Sequence, residues 1–308
     1  MYFNEDKVKV AVIQAAPVLF DLQKTIEKVE DLIMKAASQG AQLVVFPESF
    51  IPCYPRGLSF GFSVGSRTND GREDWLRYNK NSLVEDGEES KRIGEAAKKH
   101  NVYVSIGATE REYKTATLYC TNFFYGPDGN ILGKHRKLKP TGSERAIWGE
   151  GDGSTLDVIE TPYGIMSSLI CWENYMPLAR AAMYEQGVSL YIAPTADSRS
   201  SWQDTIKHIA SEGRCFVLAC NQFVRKDMYP LDLKTYDEID KYPDIMCRGG
   251  SAIIDPFGNY LVGPVYDKEA ILLAELDLDL ITSSRFDFDP NGHYSRKDVF
   301  ELKVNTNK

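Results

Sequence analysis

Three polar residues stand at or near the ends of apolar runs, and together they could carry out attack on an electrophilic carbon. Cys171 follows Ser168-Leu169-Ile170, and Glu48 follows Leu43-Val44-Val45-Phe46 and Pro47. Lys137 comes after Ile131-Leu132, inside the basic run Lys134-His135-Arg136-Lys137-Leu138-Lys139. A thiol is a strong nucleophile that must lose its proton on attack, with an ordinary pKa near ~8.5. A carboxylate could take that proton, and an ammonium could hold negative charge that develops on the attacked group. Taken singly, each residue also has a bland explanation. A Glu that closes a strand caps it or forms an ion pair, a Lys in a basic run is solvated at a strand edge, and a Cys ending an apolar run packs in the core.

The surrounding patterns give the elements that would position them. Val8, Val10 and Val12 alternate as in a strand, and Ile26, Val29, Leu32, Ile33, Ala36 and Ala37 share one helical face that stops at Gly40. The continuous apolar run Leu43-Val44-Val45-Phe46 is expected of a strand buried on both faces. The periodicity predicts helices near 89–100, 177–186 and 201–212. It predicts strands at 102–106, 121–125, 158–160, 166–170, 190–193 and 216–219, with hairpin turns at Pro127-Asp128-Gly129-Asn130 and Asp255-Pro256-Phe257-Gly258. Strands alternating with helices, plus hairpins, indicate an α/β chain with mixed sheets covered by helices. With no linker and no repeat, a single domain over 1–308 is the simpler expectation. Two stretches, 51–81 and 225–247, fit no element; loops this long bind something, meet a partner or lack order, so both are candidates for substrate walls or subunit contacts.

Composition excludes several function classes. The 308 residues are 43% hydrophobic and 26% charged, as in an ordinary globular chain. A net charge of -8 argues against a nucleic-acid partner, since phosphate binding needs a surplus of Lys and Arg. No segment approaches the ~18 uninterrupted apolar residues of a membrane span, and Met1 to Val10 lacks a signal-peptide pattern, so a cytoplasmic location with no membrane partner is expected. The six cysteines form no CxxC pair, and the four histidines show no ligand spacing. Free thiols, no metal site and no cofactor are therefore expected, and the chemistry must come from side chains.

Val44-Val45-Phe46-Pro47-Glu48-Ser49-Phe50, Gly133-Lys134-His135-Arg136-Lys137-Leu138-Lys139-Pro140-Thr141 and Leu169-Ile170-Cys171-Trp172-Glu173-Asn174-Tyr175 occur in this order. They resemble the three signature segments of the nitrilase branch of the carbon–nitrogen hydrolases. The likeness extends to Ser143-Glu144-Arg145, to Trp148-Gly149-Glu150-Gly151-Asp152-Gly153-Ser154, to Ala193-Pro194-Thr195-Ala196-Asp197-Ser198-Arg199 and to Asp289-Pro290-Asn291-Gly292-His293-Tyr294. It thus runs from Val10 to Phe300. The resemblance implies an αββα sandwich of two mixed β-sheets covered by helices. It also implies a Glu–Lys–Cys triad at Glu48, Lys137 and Cys171, with Glu144 as a further active-site glutamate. Tyr54, Trp148, Trp172 and Thr195 flank the signature segments and would form the pocket wall, although packing explains Trp148 equally well. Family members form dimers and larger spirals, so a homo-oligomer is expected, with the tail from about 285 among its contacts.

The Cys-Trp-Glu form of the third segment looks like nitrilases and cyanide-degrading relatives more than the amidase and carbamoylase branches. The 193–199 segment and Arg225-Lys226-Asp227 after Phe223 look similar to plant-type nitrilases. The implied reaction takes a small nitrile to a carboxylic acid and ammonia through a cysteine thioimidate and an acyl-enzyme, with some amide released. A cyanide dihydratase or an aliphatic amidase would use the same triad. A non-catalytic assembly protein would be expected to have lost a triad residue, and all three are present. Which nitrile is physiological, whether aliphatic, aryl, arylacetonitrile or 3-cyanoalanine, stays open.

Overall fold

The computed structural model describes residues 5–156 and 158–307. Alternation along β1 (Lys7–Gln14) sets its layers. Val8, Val10 and Val12 enter a core shared with Leu43 and Val45 of β2 (Leu43–Val45), while Ala11 and Ile13 enter a second core built with helices. Between these strands lies α1 (Leu22–Ser38), which buries Ile26, Val29 and Ile33 and is capped by Asp21, whose carboxylate accepts from Lys24 N at 3.0 Å. Such a cap contributes about 1 kcal/mol.

The first half continues with α2 (Asn69–Lys80), α3 (Glu88–His100), β3 (Tyr103–Arg111), β4 (Leu118–Tyr125) and β5 (Ile131–Arg136). There follow β6 (Ile159–Thr161), β7 (Gly164–Ser168), α4 (Pro177–Glu185), β8 (Leu190–Thr195), α5 (Ser200–Gly213), β9 (Phe216–Asn221) and β10 (Phe223–Arg225). The last elements are α6 (Asp237–Asp240), β11 (Ile245–Ile254), β12 (Tyr260–Tyr266), β13 (Ala270–Asp277) and α7 (Asp279–Ser284).

Six strands form one sheet in the order β13-β1-β2-β3-β4-β5. Seven form the other, β10-β11-β9-β8-β7-β6 with β12 on β11. β1, β2 and β3 run parallel, as do β7, β8 and β9, and the other pairs are antiparallel, so both sheets are mixed. The sheets pack face to face through Val10, Val12 and Val45 on one side and Leu190, Ile192, Phe216 and Leu218 on the other. α1 and α3 cover the first sheet, and α4 and α5 cover the second. The architecture is the αββα sandwich expected.

Two details differ from the sequence expectation. β3 runs on to Arg111 instead of stopping near 106, because residues 107–111 keep pairing with β4 from Gly107↔Asn122 to Arg111↔Leu118. The unassigned stretch 51–81 contains α2, whose sequence NDGREDWLRYNK has too few apolar positions to signal a helix. It is held by a Thr68 cap on Gly71 N and by Asp74, which accepts from Lys234 N, Thr235 N and Thr235 Oγ1. No helix among the described residues is long and apolar enough to cross a membrane. The six cysteines are all free and buried.

Candidate active site

Glu48 stands in the turn that follows β2. The turn crosses β3 so closely that a Cβ on Gly107 would come within 2.2 Å of the Pro47 carbonyl oxygen, so only glycine admits it there. Ser49 takes the left-handed conformation at φ 46°, and its hydroxyl is held by the Cys53 carbonyl and by Thr109. Gln222 Nε2 donates to the Glu48 carbonyl at 2.8 Å. A non-glycine residue at positive φ costs of order 1 kcal/mol, and these bonds from three elements fix it.

The basic run is not a solvated edge. Alternation along β5 sends Lys134 and Arg136 to one face, where both meet Glu110, and His135 and Lys137 to the other. His135 bonds Glu173 at 3.0 Å, and Lys137 is wholly buried. Its Nζ lies 2.6 Å from Glu48 Oε1 and 2.8 Å from Glu144 Oε2. The single-sequence reading fails here because Glu48, Glu110 and Glu173 lie far away along the chain, and even Glu144, seven residues on, is brought back by a turn that spacing does not reveal.

Cys171 begins a 3-10 turn that follows β7 after Leu169 and Ile170, and it also holds a positive φ of 53°. Asn174 Nδ2 ties the turn to the carbonyls of Leu169 and Cys171, and Tyr191 OH donates to Asn174 Oδ1. Glu173 joins the turn to the Lys137 strand, since its carboxylate accepts from Ile170 N, Leu138 N and the His135 ring. Two elements distant in sequence are thus fixed to each other by one buried carboxylate. Thr195 Oγ1, at the end of β8, donates to Cys171 Sγ at 3.2 Å.

The electrostatics follow from burial. Burial pushes the Cys171 thiol up to about 12, with the Glu48 charge adding to the rise, so the resting sulfur is protonated. Burial also raises the Glu48 carboxyl above the ordinary carboxylate value, with Lys137 pulling against it. For Lys137, burial works against the charge, but Glu48, Cys171, Cys120 and Glu144 together hold the ammonium well above the usual lysine value. Glu144 is fully engaged, accepting from Tyr54 OH at 2.6 Å on one oxygen and from Lys137 and Thr141 N on the other. Glu48 Oε1 accepts from Lys137 and, at 3.6 Å, from the Cys120 thiol. Glu48 Oε2 is buried and accepts no other hydrogen bond among the described residues, and the Cys171 thiol is close enough to act on the Glu48 carboxylate as a hydrogen-bond donor. A basic oxygen beside a protonated thiol is poised to accept a proton.

The four expected wall residues separate. Tyr54 and Trp172 line a cavity of ≈ 330 Å³ that opens on Cys171, together with Arg56, Thr141, Glu144, Asp197 and Arg199. Trp172 is anchored there by Nε1 donating to Asp197 at 2.9 Å. Thr195 sits against the sulfur, buried, and Trp148 packs edge-on behind Tyr54 at 5.7 Å without lining that cavity. Arg56 and Cys120 gave no sequence signal, the first because it lies in an unassigned loop and the second because a Cys in a strand reads as core. Among the described residues, no group of three or more His, Cys, Asp and Glu side chains could hold a metal ion.

Known proteins are similar to this chain along nearly its whole length. The family model for carbon–nitrogen hydrolases matches residues 9–286. An aliphatic nitrilase of Sinorhizobium fredii (strain HH103) is 50% identical over 300 residues, covering 97% of this chain and 96% of its own. A bifunctional nitrilase/nitrile hydratase of Lupinus angustifolius is 50% identical over 306 residues, covering 98% and 87%. Among solved structures, a carbon–nitrogen hydrolase from Helicobacter pylori G27 superposes with a TM-score of 0.73 at 22% identity, covering 96% of this chain and 98% of that one. Nit3 of Saccharomyces cerevisiae, a member of branch 10 of the nitrilase superfamily, gives 0.70 at 22% identity with the same coverage. With the αββα sandwich and a buried Glu–Lys–Cys cluster described, the chain belongs to the carbon–nitrogen hydrolase family.

Proposed function

We propose that this carbon–nitrogen hydrolase is a nitrilase that converts a small organic nitrile and two waters to a carboxylic acid and ammonia, with Cys171 as nucleophile. The reading rests above all on the buried Glu48 Oε2 next to a Cys171 thiol that is neutral at rest. As Cys171 Sγ bonds to the nitrile carbon, Glu48 takes the thiol proton and delivers it to the nitrogen, giving a thioimidate. Glu48 then takes a proton from the first water as its oxygen adds to that carbon. The Lys137 ammonium and the backbone N–H of Trp172 hold the charge that develops in the tetrahedral intermediate. Glu48 passes the water's proton to the nitrogen, and the hydroxyl proton follows it as the carbonyl forms and the C–N bond breaks. Ammonia departs, and a second water releases the acid from the thioester and returns a proton to sulfur. Glu144 acts through Lys137, fixing its Nζ at 2.8 Å with Tyr54 bonded behind it.

The relatives known as nitrilases support nitriles as the substrate class. Acid and ammonia release from phenylacetonitrile, cyanide and propionamide tests the reading. Turnover of the organic nitrile carries it, whereas turnover of cyanide alone or propionamide alone would replace it with a dihydratase or an amidase. The tail from about 285 exposes Phe286, Tyr294, Val299 and Phe300, apolar area suited to the contacts of a homo-oligomer.

The intermediate on Cys171 can expel either ammonia or the thiolate, so some amide is expected beside the acid. A preference of about 1.4 kcal/mol between the exits is tenfold in product ratio. Electron-withdrawing substituents make the nitrogen less basic, hinder its departure as ammonia and should raise the amide fraction. Chromatography of both products across arylacetonitriles with graded substituents checks this. A constant ratio, or amide that is later consumed, would remove the shared branching intermediate.

A further inference from the structure

The cavity beside Cys171 holds a cation that the reaction above does not use. Arg56 lies two residues beyond Tyr54, and its guanidinium sits 5.3 Å from the Tyr54 ring centroid and donates to the Ala196 carbonyl. Its backbone is fixed from both sides, with its N–H donating to the Tyr54 carbonyl and its carbonyl accepting from Tyr229 OH at 3.0 Å. Arg56 lines the Cys171 cavity and also a second one of ≈ 310 Å³ that continues past Gly57 and Ser59 to Glu238 and Lys241.

No carboxylate among the described residues pairs with Arg56. The acidic side chains lining the two cavities are each engaged elsewhere: Glu144 with Lys137, Tyr54 and Thr141 N, Asp197 with Arg199 and Trp172, and Glu238 with Ser59 and Gly61. Burial works against the Arg56 charge, and its neighbours Cys247, Tyr54, Tyr229 and Cys171 are thiols and phenols, neutral at ordinary pH. Apart from its bond to Ala196, the guanidinium is open to the cavity and not sealed from it, so an entering ligand can supply acceptors for its remaining donors. Its planar fork matches a carboxylate in bidentate fashion.

We propose that Arg56 binds an anionic group at the far end of the substrate, so that the preferred substrates are short nitriles carrying a carboxylate. This rests on the reading of the Cys171 cavity as the nitrile site. The carboxylate of the product is a second possible source of the same chemistry, but it forms at Cys171 whatever the substrate's other end carries. It therefore affects charged and neutral nitriles alike.

The test compares kcat/KM for 4-cyanobutanoate and its methyl ester at low ionic strength, in the wild type, Arg56→Gln and Arg56→Lys, with circular dichroism to check folding. The wild type should favour the carboxylate, and the carboxylate-to-ester ratio should fall about ten- to a hundredfold in Arg56→Gln, chiefly through KM. Arg56→Lys, which keeps the charge without the fork, should give an intermediate ratio. A wild type that prefers the ester, or a glutamine variant that slows both alike, overturns the proposal and leaves the nitrile reading standing. If neither nitrile is consumed while phenylacetonitrile is, the proposal is overturned and the nitrile reading stands; if phenylacetonitrile is not consumed either, the nitrile reading has failed. The same ratio for 4-carbamoylbutanoate and its methyl ester then decides whether Arg56 selects anions.

Discussion

Cys171→Ala is expected to lower turnover by about 10⁵–10⁶-fold, the scale on which removing the nucleophile disables other hydrolases. The fold should survive. The side chain is small, its loss removes one buried sulfur, and the turn is held by bonds from Asn174 and Glu173 that do not involve the thiol. Alanine keeps the Cβ, so the strain of the positive φ is unchanged. A matched Cys215→Ala variant, in the core under α5, should keep its activity. Steady-state ammonia release with circular dichroism separates the outcomes, and a Cys171→Ala protein with ordinary rates would remove the core of the mechanism.

Lys137→Arg should be nearly as inactive as Lys137→Ala, with losses of about a thousandfold or more. The ammonium serves as a point donor between two carboxylates at 2.6 and 2.8 Å, and a bulkier planar guanidinium does not fit the same wholly buried position between them. Over-packing a core costs about 1–3 kcal/mol. Alanine instead leaves Glu48 and Glu144 buried without their cation, and breaking such a pair costs about 3–5 kcal/mol. The two variants should therefore lose activity together but differ in melting temperature, which thermal unfolding measures. Near-wild-type rates in the arginine variant would reduce Lys137 to a bystander charge.

Which parts of this were legible in the sequence follows from how local each signal is. The alternation of Val8, Val10 and Val12 and the helical face of Ile26, Val29 and Ile33 are patterns of neighbouring residues, and the layers they imply are the layers observed. Glu48, Lys137 and Cys171 lay at strand ends, but only the words around them marked them as a set, and the structure brings them together. What stayed hidden depends on partners distant in the chain. The basic run looked solvated because Glu110 and Glu173 cannot be paired with it by spacing. α2 was missed because a cap and the contacts of Asp74 hold it in place of an apolar stripe. Arg56 became notable only when the cavity showed it without a counter-charge.

The central claim, that carbon is held on Cys171 sulfur during turnover, is tested most directly by mass spectrometry. A reaction with an organic nitrile is quenched in acid within the first turnovers, digested and mapped. The account predicts a mass added to the peptide that carries Cys171, matching the thioimidate or the acyl group, and unmodified Cys53, Cys120, Cys215, Cys220 and Cys247, which are buried and do not line the cavity that opens on Cys171. Product formation with no adduct on any cysteine, or an adduct on a cysteine other than Cys171, would contradict it.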